Sequence, residues 1–396
     1  MKKRTMQYIP YGKHSVNKAD IQVVANALRS DWITQGPKVR EFEEAICRYT
    51  GAKYVVAVSS GTAALHLASL AAGFKKDDQV ITTPISFVAT ANSIIYAGAK
   101  PVFADINYET INIDAEQIKS QITPKTKAVL PVHFAGLPVD MPEIAAIAKS
   151  NGLIVIEDAC HSFGAEYKHR GNWIKVGNCK HSDMSVFSFH PVKHITTGEG
   201  GAITTNSKRL YDKLHALRNH GTYKDKKTTR KGPWYYDMRD LGFNYRITNI
   251  QCALGISQLS RIDKFLKKRR SIAQRYNKAL ADIRDLVILT DTSYQDRRHA
   301  WHLYILRLRL DKITVDRKRI FTELVKQKIK VQVHYIPIYW HSFYKAKGHD
   351  RQKLINAERY YSETISLPIY YDLSYELQSR VIESVKKTIR KYAKRC

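Results

Sequence analysis

No stretch of the chain reaches the roughly 18 consecutive apolar residues that cross a bilayer as a helix, and the opening Met1-Lys-Lys-Arg-Thr-Met-Gln-Tyr8 has no apolar signal core. A cytoplasmic protein without a membrane partner is therefore expected. Cysteine is scarce: Cys47, Cys160, Cys179, Cys252 and Cys396 lie far apart and form no Cys-x-x-Cys pair. That argues against a zinc site or a disulfide frame and for reduced thiols, and no metal is expected. Internal repeats and low-complexity segments are absent. So are a Walker Gly-Lys-Ser/Thr and a Gly-x-Gly-x-x-Gly after the first predicted strand. Acidic residues are in short supply, 36 against 65 Lys+Arg, leaving a formal charge of +29. The bases are spread along the chain, with runs at Lys224–Lys231, Lys267–Arg270 and Lys386–Arg395, and no recognised nucleic-acid module accompanies them. No nucleic-acid partner is expected; an anionic small substrate suffices.

What is present is an ordinary soluble composition, 44% hydrophobic and 26% charged, on a 396-residue chain long enough for two or three domains. From residue 53 onward, short apolar runs alternate with helical stretches, the pattern of a largely parallel sheet wrapped by helices. Strands are expected at Tyr54–Val58, Gln79–Thr82, Pro101–Ala104, Ala128–Val132, Leu153–Glu157, Met184–Ser188 and Ala202–Thr204. Helices are expected at 18–30 (with Ile21, Val24, Ala25 and Leu28 spaced for one face), Val39–Tyr49, Thr62–Ala72 and Glu143–Ser150. A long helical region at Thr248–Leu280 reads as a bridge to a smaller mixed unit. That unit has strands near Trp301–Leu308 and Val331–His334 and helices near Arg317–Lys328 and Tyr375–Lys391. In the last of these, Leu377, Val381, Val385, Ile389 and Tyr392 keep a four-residue apolar spacing. Lys224–Lys231 reads as a mobile loop.

Ligands bind beyond the carboxyl ends of strands in such sheets, so the residues just past each strand are the candidates. Ser60-Gly61-Thr62 opens a helix after the first strand, and either cradles a phosphate on backbone N–H groups or serves as a plain N-cap. Phe87 follows the second strand, as a core residue or as a cover for an aromatic cofactor face. Asp158 ends the fifth strand, where a buried carboxylate needs a cation such as a protonated ring nitrogen, or else caps a helix. His161, three residues on, is placed to donate to an oxygen on the same ring. The stretch Ser185-Val-Phe-Ser-Phe-His-Pro-Val-Lys193-His-Ile-Thr-Thr-Gly-Glu-Gly-Gly-Ala202 presents one lysine after a Pro191 turn, among Phe189, Pro191 and Ile195. Desolvation there would make it a free, nucleophilic amine; the alternative is an ordinary solvated surface lysine.

With Lys193, Asp158, Ser60-Gly-Thr62 and Asn244 in view, the sequence resembles the DegT/DnrJ/EryC1/StrS sugar aminotransferases of fold type I, from about Tyr11 to the last helix. Thr34-Gln-Gly-Pro-Lys38, Phe187–Gly201 and Gln332-Val-His-Tyr-Ile-Pro337 most resemble the branch that acts in pseudaminic-acid biosynthesis. The resemblance implies an α/β fold: a large domain, residues 1–250, with a mostly parallel seven-stranded sheet, and a bridging helix and small α+β domain at 251–396, against which the first ~20 residues pack. It implies pyridoxal 5′-phosphate as cofactor, with Lys193 bonding its aldehyde and Asp158 pairing with its ring nitrogen. Ser60, Gly61, Thr62 and Ser188 would hold its phosphate, Phe87 lie against the ring and His161 near the phenolic oxygen. Asn244 would reach the phosphate across a homodimer interface. Tyr11, Asp31, Trp32, Ile33, Thr34, Ser60, Ser188, Asn244, Gln332, Val333, His334 and Tyr335 match positions lining the nucleotide-sugar site. The implied reaction moves the amine of L-glutamate to C4 of a UDP-linked 4-keto-6-deoxy sugar. His194, where relatives often have proline, and Cys160, where alanine is common, depart from the pattern without removing a chemical group. The rivals are an aminotransferase for another ketosugar or for C3, a pyridoxal-dependent dehydratase, in which histidine replaces the lysine, and a non-catalytic binding protein.

Overall fold

The computed structural model describes residues 7–349 and 352–394, so Cys396 and the first six residues lie outside it. Seven strands make the main sheet: β1 (Tyr54–Val58), β2 (Gln79–Thr82), β3 (Lys100–Phe103), β4 (Thr126–Leu130), β5 (Ile154–Asp158), β6 (Met184–Ser188) and β7 (Gly201–Thr205), in the order β1-β7-β6-β5-β4-β2-β3. β2 to β6 pair in parallel, while β7 runs antiparallel to both β1 and β6. Each strand begins and ends within a residue or two of the expected bounds. Alternate residues of one strand feed two separate cores: Val55 and Ala57 pack on one face of the sheet, Val56 and Val58 on the other. Both faces are therefore covered, as the near-continuous apolar runs require.

The helices follow from their ends. In α1 (Lys18–Arg29) Asn17 and Asp20 form a capping box. Proline opens α2 (Pro37–Thr50), and Gly51 closes it in the left-handed region at φ +80°. α3 (Gly61–Ala71) starts on Ser60, whose hydroxyl accepts the Ala63 N–H at 3.1 Å. A turn later in the fold comes the short α4 (Ala89–Tyr96).

Four expectations are corrected. The region from Thr248 is two helices, α5 (Asn249–Leu259) and α6 (Ile262–Ala279), broken at Ser260-Arg261, where Arg261 leaves the helix line and ion-pairs with the buried Asp20. The strand expected from Trp301 starts at Tyr304, because Trp301 sits at φ +56°. Val331–His334 is no strand: Gln332 alone bridges Ser366. The Lys224–Lys231 stretch contains a helical turn, Lys226–Thr229, pinned because Asp225 and Thr228 exchange side-chain and backbone hydrogen bonds at 2.7 and 3.0 Å. In α1 the helical spacing is present, and Ile21 and Leu28 are largely exposed.

A second core gathers around the antiparallel sheet β8 (Val287–Leu289), β9 (Tyr304–Leu308) and β10 (Thr364–Leu367) and includes Val381, Val385 and Ile389 of α7 (Tyr375–Lys391). Phe265 near the start of α6 belongs to the first core and Ile272 to the second. We propose α6 as the bridge between two units. Ile9 pairs with Ile329, which ties the start of the described chain to the second unit. No described helix is long and apolar enough to cross a membrane.

Candidate active site

The carboxyl ends of β1, β2, β5 and β6 open into one cleft of about 720 Å³, closed on its other side by residues 332–336. Thirteen of the expected site residues line it: Tyr11, Ser60, Gly61, Thr62, Phe87, Asp158, His161, Ser188, Lys193, Gln332, Val333, His334 and Tyr335. Asp31, Trp32, Ile33, Thr34 and Asn244 do not. They are exposed on the surface of the single chain, with the Trp32 carbonyl accepting from the Asn249 amide at 2.7 Å.

Asp158 is buried at the end of β5. Its carboxylate accepts from the Thr90 hydroxyl at 2.7 Å and the Cys160 N–H at 3.1 Å, and Ser86 in turn lies 2.7 Å from Thr90. It caps no helix. Both contacts to the carboxylate are neutral donors, and among the described residues no Lys, Arg or His forms an ion pair with it. A carboxylate so held and so buried has room for a cationic ring N–H.

Lys193 follows the Pro191 turn, its own N–H bonded to the His190 carbonyl at 2.9 Å. Burial pulls its pKa below the ordinary lysine value, and the negative character of Cys160 and Asp158 pulls it partly back. The amine is thus biased toward its free base beside the anion. His161 is buried too, and burial, then the Lys193 charge, hold it well below the usual histidine range. Its Nε2 meets the Tyr335 hydroxyl at 3.2 Å, while its Nδ1 has no partner.

At the other end of the cleft Ser60 caps α3, leaving the N–H groups of Gly61 and Thr62 free for an anion at the positive end of the helix. Capping and phosphate binding are thus compatible here. A side chain at Gly61 would meet the Ser188 Cβ at 2.8 Å, and one at Gly201 the Ser60 carbonyl at 2.5 Å. Phe87 stays 57% exposed on the wall, its ring 6.2 Å from that of Tyr335. Tyr11 lies 5.6 Å from the His334 ring, whose Nδ1 meets Ser366 at 2.8 Å. A buried carboxylate with no ion-pair partner among the described residues, an amine in the same cleft, an uncovered aromatic face and a helix start where Gly61 leaves the backbone N–H groups open fit pyridoxal phosphate.

Sequence reasoning missed Ser86, Thr90 and His302. The first two lie in the Thr83–Asn92 stretch around Phe87, where two hydroxyls four positions apart, Ser86 ahead of α4 and Thr90 within it, were the available signal. His302, whose Nε2 is 3.5 Å from the Lys193 Nζ, was signalled only by a second imidazole, His299, ahead of an apolar strand.

Residues 14–386 match the DegT/DnrJ/EryC1/StrS aminotransferase family. The spore coat polysaccharide biosynthesis protein SpsC of Bacillus subtilis is 40% identical over 98% of this chain and 99% of its own. The UDP-4-amino-4,6-dideoxy-N-acetyl-β-L-altrosamine transaminase of Campylobacter jejuni is 39% identical over 92% of this chain and 93% of its own. Among solved structures, Helicobacter pylori PseC, an aminotransferase involved in pseudaminic acid biosynthesis, superposes with a TM-score of 0.90 at 34% identity, covering 98% of this chain and all of that one. The sugar aminotransferase Spr1654 of Streptococcus pneumoniae, in its PMP form, does so with a TM-score of 0.89 at 29% identity, over 97% of this chain and 99% of that one.

Proposed function

Since the chain belongs to the DegT/DnrJ/EryC1/StrS family and is a pyridoxal-phosphate-dependent sugar aminotransferase of fold type I, we propose that it moves the amine of L-glutamate to C4 of a UDP-linked 4-keto-6-deoxy sugar. The products are 2-oxoglutarate and a UDP-4-amino-4,6-dideoxy sugar, in the pseudaminic-acid branch UDP-4-amino-4,6-dideoxy-N-acetyl-β-L-altrosamine. The observation that carries the reading is one cleft lined by both Lys193 and the buried Asp158, whose carboxylate has only neutral donors around it.

When bound, pyridoxal phosphate supplies an aldehyde that takes up the amine and a ring that takes up electrons from a breaking C–H bond. The Asp158 carboxylate, fixed by Thr90 and the Cys160 N–H, would pair with the ring nitrogen and favour its protonated form. Lys193 would supply the amine that bonds the aldehyde and the base that moves a proton. His161, whose Nδ1 has no hydrogen-bond partner, would be free to face the phenolic oxygen. The N–H groups of Gly61 and Thr62 and the hydroxyls of Thr62 and Ser188 would hold the phosphate.

Among the described residues lining the cleft, Lys193 is the only Lys or Arg. The sugar diphosphate therefore needs cations or donors from elsewhere, and a homodimer supplies a second chain. Ile21, Leu28, Trp32, Ile33, Trp234, Tyr236 and Leu241 are exposed apolar residues in keeping with such a contact, which would also bring the partner's Asn244 to the phosphate. The likeness to SpsC, as high as that to the altrosamine transaminase, favours a different nucleotide ketosugar as the second reading. The test is a panel of UDP- and dTDP-linked 4-keto and 3-keto sugars. The yellow chain should bleach with glutamate and regain its colour with the UDP-4-ketosugar alone, product stereochemistry being read by NMR. Recovery with another ketosugar instead would replace this substrate, and a chain that never bleaches with glutamate would remove that donor.

A further inference from the structure

The Lys193 amine has one side-chain contact within hydrogen-bond distance, the Nε2 of His302 at 3.5 Å, the outer limit of such a bond. The Asp158 oxygens are already engaged by Thr90 and the Cys160 N–H. His302 is buried, its ring lies 4.4 Å from that of His161, and its Nδ1 has no partner. Its backbone carbonyl accepts from Arg269 at 3.3 Å, which fixes the start of β9 without using the ring. Among the described residues the sole polar side-chain contact of this buried imidazole is thus the Lys193 amine. A buried ring that satisfies one nitrogen out of two is a poor structural choice and calls for another explanation.

We infer that His302 is a positioning residue for Lys193: a neutral acceptor that fixes where the amine sits without the negative charge that would hold it as an ammonium. A carboxylate in the same place would orient the amine equally well and protonate it. Burial above all, and then the neighbouring Lys193, His161 and His194 on the cleft side and Arg269 from α6 behind, hold His302 well below the usual histidine range. Lys193 is faced by Asp158 and Cys160 from the end of β5, by His161, by His190 and His194 of its own turn and by His334 from the opposite wall. None of these changes in the variants below.

The inference rests on Lys193 being the reactive amine, and the experiment separates the two. Trace acetylation of the full chain freed of cofactor, read at Lys193 by peptide mass spectrometry, gives the free-base fraction against pH. The wild-type midpoint should lie below that of surface lysines, and His302→Gln, which keeps a neutral acceptor, should leave it in place even if the chain melts earlier. His302→Glu should raise it by about one unit or more, so that labelling at a fixed pH below the midpoint falls about tenfold. A lowered wild-type midpoint that His302→Glu does not move overturns the role of His302 alone. A wild-type midpoint equal to that of surface lysines overturns the reactive-amine reading and this one with it. If His302→Glu does not fold, nitrogen spectra of histidine-labelled chain decide. The signal missing in His302→Gln should shift when Lys193 is replaced by Met, and an unmoved signal overturns the contact.

Discussion

The two walls of the cleft are built on different plans. On the sheet side, Asp158 and Lys193 stand at strand ends and turns wedged between two cores, and they carry the charge chemistry. On the opposite side, His334, Tyr335 and, beside Lys193, His302 come from residues 302–335, and the first two are held by single side-chain hydrogen bonds: His334 by Ser366, Tyr335 by His161. Rigid backbone positions the groups that gain or lose protons. Packed neutral rings shape the space around them and keep water from screening them.

That contrast predicts a steep ranking of effects. Lys193→Ala on the sheet wall should lower turnover by more than about 10³-fold in the glutamate half-reaction followed by absorbance, because both the covalent link and the proton carrier are lost. Continued turnover in that chain would falsify the assignment. Asp158→Asn should cost about 100-fold, the loss of a charge-assisted hydrogen bond of roughly 3 kcal/mol, with a changed visible spectrum of the cofactor. Tyr335→Phe on the opposite wall removes one neutral hydrogen bond worth about 1 kcal/mol, so kcat/KM should fall only about fivefold. An equal loss for Asp158→Asn and Tyr335→Phe would erase the distinction between the walls.

The packed histidines add a pH effect on stability. Burial holds His299 and His334 down to about 3. The unfolded chain binds these protons near pH 6.5 and the folded chain does not, so stability is intact above 6.5 and drains as pH falls below it. By pH 5.5 the two should together cost about 2 kcal/mol, seen as a falling Tm that His299→Gln partly flattens.

Sequence read the two walls unequally for the same reason. Asp158, Lys193 and Ser60–Thr62 follow apolar runs directly, so the rule that sites lie past strand ends reaches them from local pattern alone. Thr90 sits inside a helix and meets Asp158 across 68 positions, and His302 meets Lys193 across 109. Such pairs exist only once the sheet and the second unit are assembled. The break at Ser260-Arg261 was hidden likewise, since its cause is the long-range Asp20 contact and the local residues favour helix. Asn244 and Asp31–Thr34 are placed on the surface of one chain, outside the cleft.

One further consequence follows from the ladder at Ile9. Its N–H bonds the Lys328 carbonyl and its carbonyl accepts from Lys330, each at 2.9 Å, and Ile369 donates to Tyr11, while α1 is anchored through Asp20 to Ser257 and Gln258 of α5. Residues 9–20 are therefore a short leash tied at one end to the core around Ile329 and at the other to the core around α5, with Tyr11 on the stretch in between. Any separation of those two cores would have to slip these rungs, so exchange of the Ile9 and Lys330 amide protons would gauge it.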